Sequence, residues 1–209
     1  AIVWGSGIIN RNVEINKSDF LAVRGEYTRK RIEELGFKPP KVMGDPALLL
    51  PLIFNPVVQK KYKLGVIPHV FHFEEFKKVF TSQDVLVIDL NTNDIEKVLI
   101  DIKSCELTIS TSLHGIIVSH AYNIKSLWYK YNEIPLRGDD VKYLDYFSSV
   151  NIPEYKAYSI DLVNGINYRE IIETVLDNEN INHINSNLKI IQRQLLEVAP
   201  FSVKPNFLQ

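Results

Sequence analysis

From Leu64 to Tyr129 the chain alternates short, branched apolar runs with segments of helical period, and this alternation restricts the fold more than any other feature. The apolar runs predict strands at 64–67, 85–88, 107–109 and 126–129. The clearest helix between them is predicted from Asp94 to Cys105. Its apolar residues Ile95, Val98, Leu99 and Ile102 fall at i, i+3, i+4 and i+7, on one face. Asn93 is the expected N-cap. Strands that alternate with helices imply an α/β fold, with a parallel sheet covered on both faces.

Upstream, Ile2-Val3-Trp4 and Phe20-Leu21-Ala22-Val23 read as strands that end at Gly5-Ser6-Gly7 and Arg24-Gly25. A helix is expected from Glu26 to Leu35, stopped by Gly36, and Pro39-Pro40 breaks the chain. Asn55 to Lys63 reads as a linker, with Pro56 followed by lysines. Beyond residue 140 the pattern is helical, notably at Tyr168–Leu176 and Leu188–Leu196, apart from an extended piece at Tyr158–Asp161. The tail around Pro200 and Pro205 is expected to be irregular. Three regions result: 1–56, 57–155 and 156–209. Ala1-Ile2-Val3-Trp4 opens in mid-strand, so further residues are expected before Ala1 to complete the first sheet.

Composition excludes several classes. A net charge of −1 gives no general drive toward nucleic acid. No apolar run approaches the ~20 residues of a membrane span, and no signal peptide is visible. The one cysteine, Cys105, lies at the end of a helical pattern and reads as a small core residue, which suits a reducing compartment. There is no Gly-x-Gly-x-x-Gly, Walker loop or Gly-x-Ser-x-Gly elbow, and the histidines lack zinc-site spacing, so no metal or cofactor is expected.

The strongest local feature is Ile109-Ser110-Thr111-Ser112-Leu113-His114-Gly115, which follows a strand and opens a helix predicted at Ile116–Tyr122. Ligands of doubly wound sheets sit beyond the carboxyl ends of the strands, and the unpaired N–H groups of a helix start attract anions. An ordinary hydroxyl-rich cap beside an incidental histidine fits the same spacing. Gly65-Val66-Ile67-Pro68-His69 ends an earlier strand on the same edge, so His69 and His114 are expected to face one crevice. His72 has a weaker claim, since it falls beyond the strand end. His120 reads as structural and His183 as solvent-exposed. Arg24-Gly25-Glu26-Tyr27-Thr28 is the third candidate, because an Arg at a strand end can fork onto a carboxylate or phosphate. Spacing alone favours a capping Arg with a surface salt bridge.

Taken in order, Trp4-Gly5-Ser6-Gly7, Val23-Arg24-Gly25 with Thr28, Gly44-Asp45-Pro46-Ala47, Ile67-Pro68-His69 and Ser112-Leu113-His114-Gly115 resemble the polysaccharide pyruvyltransferase family. Val141 to Tyr146 and Leu195-Leu196-Glu197 are similar to its exopolysaccharide (succinoglycan-type) branch. The resemblance implies two Rossmann-like parallel-sheet domains facing a cleft, glycosyltransferase-B-like, with the N-terminal one (1–56) incomplete and the helices of 156–209 packing back. It implies a bacterial, cytoplasmic transferase at the inner face of the membrane, phosphoenolpyruvate as donor, and a lipid-linked oligosaccharide or polysaccharide as acceptor. His114 becomes the principal donor-site residue, as acid or phosphate ligand, with His69 and Arg24 as helpers. Gly5, Ser6, Thr111, Ser112 and Gly115 then belong to the substrate site. Some members carry Arg where Ser112 stands, so here Arg24, Lys142 or Arg137 must supply the cation. A sugar-nucleotide-dependent glycosyltransferase and a non-catalytic glycan-assembly protein are the rival readings, since one fold serves all three.

Overall fold

The computed structural model describes residues 1–163, 165–204 and 207. In chain order the elements are β1 (Ile2–Ser6), β2 (Asp19–Val23), α1 (Glu26–Glu34), β3 (Val42–Met43), a 3₁₀ turn at Pro46–Leu49, α2 (Leu50–Ile53), β4 (Tyr62–Ile67), α3 (Phe73–Val79), β5 (Val85–Val87), α4 (Ile95–Lys103), β6 (Cys105–Ser110), α5 (Leu113–Ala121), β7 (Ser126–Tyr131), α6 (Val141–Ser149), β8 (Tyr158–Ile160), α7 (Tyr168–Asp177) and α8 (Leu188–Glu197). They form two compact units. One comprises Ala1–Leu52, Arg137–Tyr155 and Ile184–Gln209, the other Ile53–Leu136 and Lys156–His183. Pro205 lies outside the described residues.

The second unit holds a five-stranded sheet of order β5-β4-β6-β7-β8, parallel throughout. All four predicted strands are present there, so the α/β reading with a parallel sheet holds. Leu64, Val66, Ile67, Leu107, Ile109 and Leu127 are buried, as residues of strands covered on both faces must be. On one face Ile67, Ile88, Ile102, Cys105 and Ile124 pack into a shared cluster. Each isoleucine among them contributes about 1.5–3 kcal/mol by leaving water. Helix α4 is anchored by Asp94, not Asn93: the Asp94 carboxylate accepts the Lys97 N–H at 3.0 Å. Cys105 is buried as expected but opens strand β6, because Ser104 alone separates the two elements.

In the first unit β1, β2 and β3 pair in parallel in that order. Helix α8 closes over them. The Trp4 indole N–H donates to the Leu195 carbonyl at 2.9 Å, and the Gln192 amide donates to the Leu48 carbonyl at 2.7 Å. Helix α6 packs against α1. Among the described residues no helix is long and apolar enough to cross a membrane.

Candidate functional site

The order β5-β4-β6-β7-β8 contains a switch point. From β4 the chain moves to β5 on one side, then returns to β6 on the other. Doubly wound sheets bind ligands outside the carboxyl ends of their strands at such a point. Here those ends carry Pro68-His69 after β4 and Thr111-Ser112 after β6. The strands run in register up to Ile67 opposite Ser110. Ser110 ties the ends together. Its hydroxyl lies 2.6 Å from the Ile67 carbonyl and 2.8 Å from the Ser112 carbonyl, and it accepts the Ser112 N–H at 2.9 Å.

Helix α5 begins at Leu113, three residues earlier than the apolar pattern suggests. Gly115 makes this start compatible with the sheet: a Cβ there would lie 2.3 Å from the Ser110 hydroxyl and 2.7 Å from Ile67 Cγ2. The seat is reinforced by Thr108, which donates to Ser119, which in turn donates to the Gly115 carbonyl, each at 2.8 Å. The N-cap Ser112 is extended and its side chain makes no capping bond. The first-turn N–H groups have no intrahelical acceptor, and the N-cap side chain does not take them up. His114, in that first turn, is exposed, while Thr111, Ser112 and Gly115 are buried.

His69 is half-buried. Its backbone N–H donates to Thr111 Oγ1 at 2.8 Å, and its Nδ1 accepts the Phe71 N–H at 3.3 Å. A neutral His69 thus carries its proton on Nε2. His72, ranked low from sequence, is buried; Nδ1 lies 2.8 Å from Thr111 Oγ1 and Nε2 lies 2.8 Å from the Ile134 carbonyl. Burial holds its pKa below the ordinary 6.5, partly opposed by the Ile134 bond. His120 is structural, as expected. It is buried, 3.1 Å from the Ser126 carbonyl through Nε2, with its pKa pushed down to about 4 by burial. His183 is half-buried rather than solvent-exposed, against the Asn182 side chain.

The remaining sequence candidates lie in the first unit. Arg24 is 8% exposed, so it is no surface ion pair. Its Nη2 donates to the Ile8 carbonyl at 2.7 Å. Its Nε stands 3.2 Å from Asp145 Oδ2, but that N–H is not aimed at an acceptor, so the contact is mainly Coulombic. Asp145 accepts the Thr28 N–H at 2.9 Å and the Thr28 hydroxyl at 2.7 Å. Ser148 accepts the Glu26 N–H at 2.9 Å. Helix α6 therefore caps α1, whose own N-cap, Gly25, has no side chain. Gly25 is required because a Cβ would fall 1.7 Å from the Asp145 carbonyl oxygen. Burial raises the Asp145 pKa, opposed by Arg24 and Thr28. Lys142 is half-buried, its pKa lowered by burial and then by the Arg24 charge. Arg137 is exposed. Gly5 adopts φ +74, with Pro46 where a Cβ would go. Ser6 borders a mainly apolar pocket of about 430 Å³ with Val3, Ile8, Val13, Phe20 and Ile32. Among the described residues no group of three or more His, Cys, Asp or Glu is placed to hold a metal ion.

The second unit is thus a Rossmann-like α/β body with a parallel sheet and an uncapped helix start at its switch point. The chain belongs to the polysaccharide pyruvyl transferase family, a family of transferases, whose model matches residues 2–133. It is also similar, at 29% identity over 179 residues, to an uncharacterized protein of Acanthamoeba polyphaga mimivirus. That alignment covers 81% of this chain and 62% of the viral protein, so the chain spans less than two thirds of that relative. No solved structure gives a significant match.

Proposed function

We propose that the protein transfers the pyruvyl group of phosphoenolpyruvate to a pair of sugar hydroxyls on an exopolysaccharide or other cell-surface glycan precursor. The observation that carries this reading is the start of α5: an uncapped helix N-terminus at the switch point, with an exposed histidine in its first turn, in a member of this family. In the reaction both acceptor oxygens add to C2 of the enol and C3 gains a proton to become methyl. The C2–O bond to phosphate breaks, and inorganic phosphate leaves with the electron pair. The two acceptor protons replace the one delivered to C3 and supply one to phosphate. The first-turn N–H groups and Ser112 hold the phosphate or carboxylate, and His114 delivers the proton or binds the departing phosphate. His69 donates a hydrogen bond through Nε2. In the first unit, Gly5, Ser6 and a positive charge from Arg24, Lys142 or Arg137 are the proposed substrate-binding residues. A glycosyltransferase-B-like organisation, a lipid-linked acceptor and reaction at the cytoplasmic face of a membrane are parts of the same proposal.

The test is incubation of the protein with phosphoenolpyruvate and a lipid-linked oligosaccharide acceptor, following inorganic phosphate and the methyl signal of a pyruvate ketal. Ketal formation with stoichiometric phosphate supports the reading. Nucleotide release from a sugar nucleotide in its place would establish a glycosyltransferase, and release of neither would establish a non-catalytic role.

A further inference from the structure

Two loops frame the site in the second unit: the turn after β4, which carries His69, and the segment after β6, which leads into His114. A buried group joins them. His72 is 1% exposed, among the rings of Phe76 and Tyr131 at centroid distances of 6.0 and 5.4 Å. Its backbone N–H closes the turn onto the His69 carbonyl at 2.7 Å. The Ile134 carbonyl, 2.8 Å from Nε2, can only accept, so Nε2 carries a proton. Thr111 Oγ1 already accepts the His69 N–H, and it lies 2.8 Å from His72 Nδ1. In the neutral imidazole Nδ1 is an acceptor, so the Thr111 hydroxyl proton points to His72. The chain of donors then runs from the His69 N–H to Thr111 and on to His72, whose Nε2–H ends it at Ile134. Every link has a donor and an acceptor; a protonated His72 would instead donate through Nδ1 to Thr111 Oγ1 and turn the hydroxyl proton away from the ring.

We propose that His72 is a positioning residue. As the Nε2-protonated imidazole it receives the Thr111 hydroxyl and so fixes the spacing between the His69 turn and the start of α5. This rests on the donor-site reading of α5 and adds what keeps that site in shape. The Thr111 hydroxyl proton is committed to His72, so Thr111 contributes by holding the two loops in register and not by donating that proton to an anion. Three substitutions separate the parts. Thr111→Val keeps the shape and removes the hydroxyl. His72→Asn keeps an acceptor near the place of Nδ1. His72→Gln keeps a donor near the place of Nε2.

Long-range nitrogen–proton correlation spectra of the whole chain at neutral pH are expected to show His72 as the Nε2–H tautomer. The His69 amide is expected to exchange slowly with solvent. Thr111→Val and His72→Gln should speed that exchange about tenfold, the scale of one lost hydrogen bond. They should also weaken inorganic phosphate binding, read at the His114 imidazole signals, about tenfold. His72→Asn should stay within about threefold of wild type in both. A proton on Nδ1 of His72, or unchanged His69 exchange in both Thr111→Val and His72→Gln, overturns the positioning role. Should either variant fail to fold, the wild-type tautomer and the His72→Asn exchange rate decide. Wild-type His114 signals that do not move with inorganic phosphate overturn the donor-site reading instead, and the tautomer and exchange data still decide the role of His72.

Discussion

Removing Asp145 should unfold the first unit far more readily than removing a surface carboxylate, and the size follows from what Asp145 touches. Its side chain is fully buried, it faces Arg24 at 3.2 Å, and it accepts two bonds from Thr28. Asp145→Ala leaves the Arg24 guanidinium uncompensated and uncaps α1. Breaking one side of a buried pair costs about 3–5 kcal/mol. The misaligned Arg24 Nε favours the lower end, while the lost cap adds about 1 kcal/mol, so about 4 kcal/mol is expected. Arg24→Met, which leaves the Thr28 bonds intact, should cost about 2–3 kcal/mol. In Arg24→Met/Asp145→Ala no buried charge of the pair remains, so the double change should cost about 4 kcal/mol, well short of the sum, a coupling of roughly 2–3 kcal/mol. The assay is urea unfolding followed by tryptophan fluorescence. Trp4 lies in the first unit and Trp128 in the second, so a Trp128→Phe background reports the first alone. Additive costs within about 0.5 kcal/mol would refute the argument. An Arg24→Met protein of unchanged stability would refute it too, and loss of inorganic phosphate binding in that protein would single out Arg24 among the three proposed cations.

Three further outcomes are expected. His114→Gln should lower phosphate release from phosphoenolpyruvate at least ~100-fold while the thermal midpoint barely moves, because the side chain is exposed; a near-normal rate removes His114 from the chemistry. Gly115→Ala should cost about 1–3 kcal/mol, since its methyl meets Ser110 and Ile67 inside 3 Å; an unchanged urea midpoint would show that α5 can lift from β6 without strain. His120 has a folded pKa of about 4 against an ordinary 6.5, so its contribution is complete above pH 6.5 and is lost as pH falls toward 4. The loss is at most roughly 3 kcal/mol, and His72, lowered in the same direction, adds to it. Stability profiles of wild type and His120→Asn should therefore converge on acidification, and parallel profiles would contradict the burial argument.

The sheet of the second unit was legible because parallel strands buried on both faces leave continuous branched runs, as at Leu64–Ile67 and Leu107–Ile109. Local errors arose where chemistry is degenerate over neighbouring residues. Asn93 and Asp94 are equally good caps, and Cys105 continues the α4 pattern although it is already the first residue of β6, with Ser104 alone between the two elements. The start of α5 was misplaced because Ser112-Leu113-His114-Gly115 has no apolar period, though a glycine is what lets the helix approach the sheet. The buried polar partners were not legible at all. Thr111 and His72 are 39 residues apart, His72 and Ile134 62, and Thr28 and Asp145 117. Nothing in local period or composition encodes a pairing over that distance.

The short motifs divide by whether packing explains them. Gly5 makes room for Pro46, Gly25 for the Asp145 carbonyl, and Gly115 for Ser110 and Ile67. Arg24 and Thr28 serve the network that joins α1 to α6, and Thr111 the one that joins two strand ends. For these residues a structural reason is complete without any ligand. His114 differs. It is exposed, it lies in the first turn of a helix that its N-cap side chain leaves uncapped, and it stands beyond the strand ends at the switch point of the sheet. A histidine on a solvated helix face contributes little to stability, and glutamine there would serve the fold as well. The proposed function therefore gains its force at His114, because packing there supplies no competing reason.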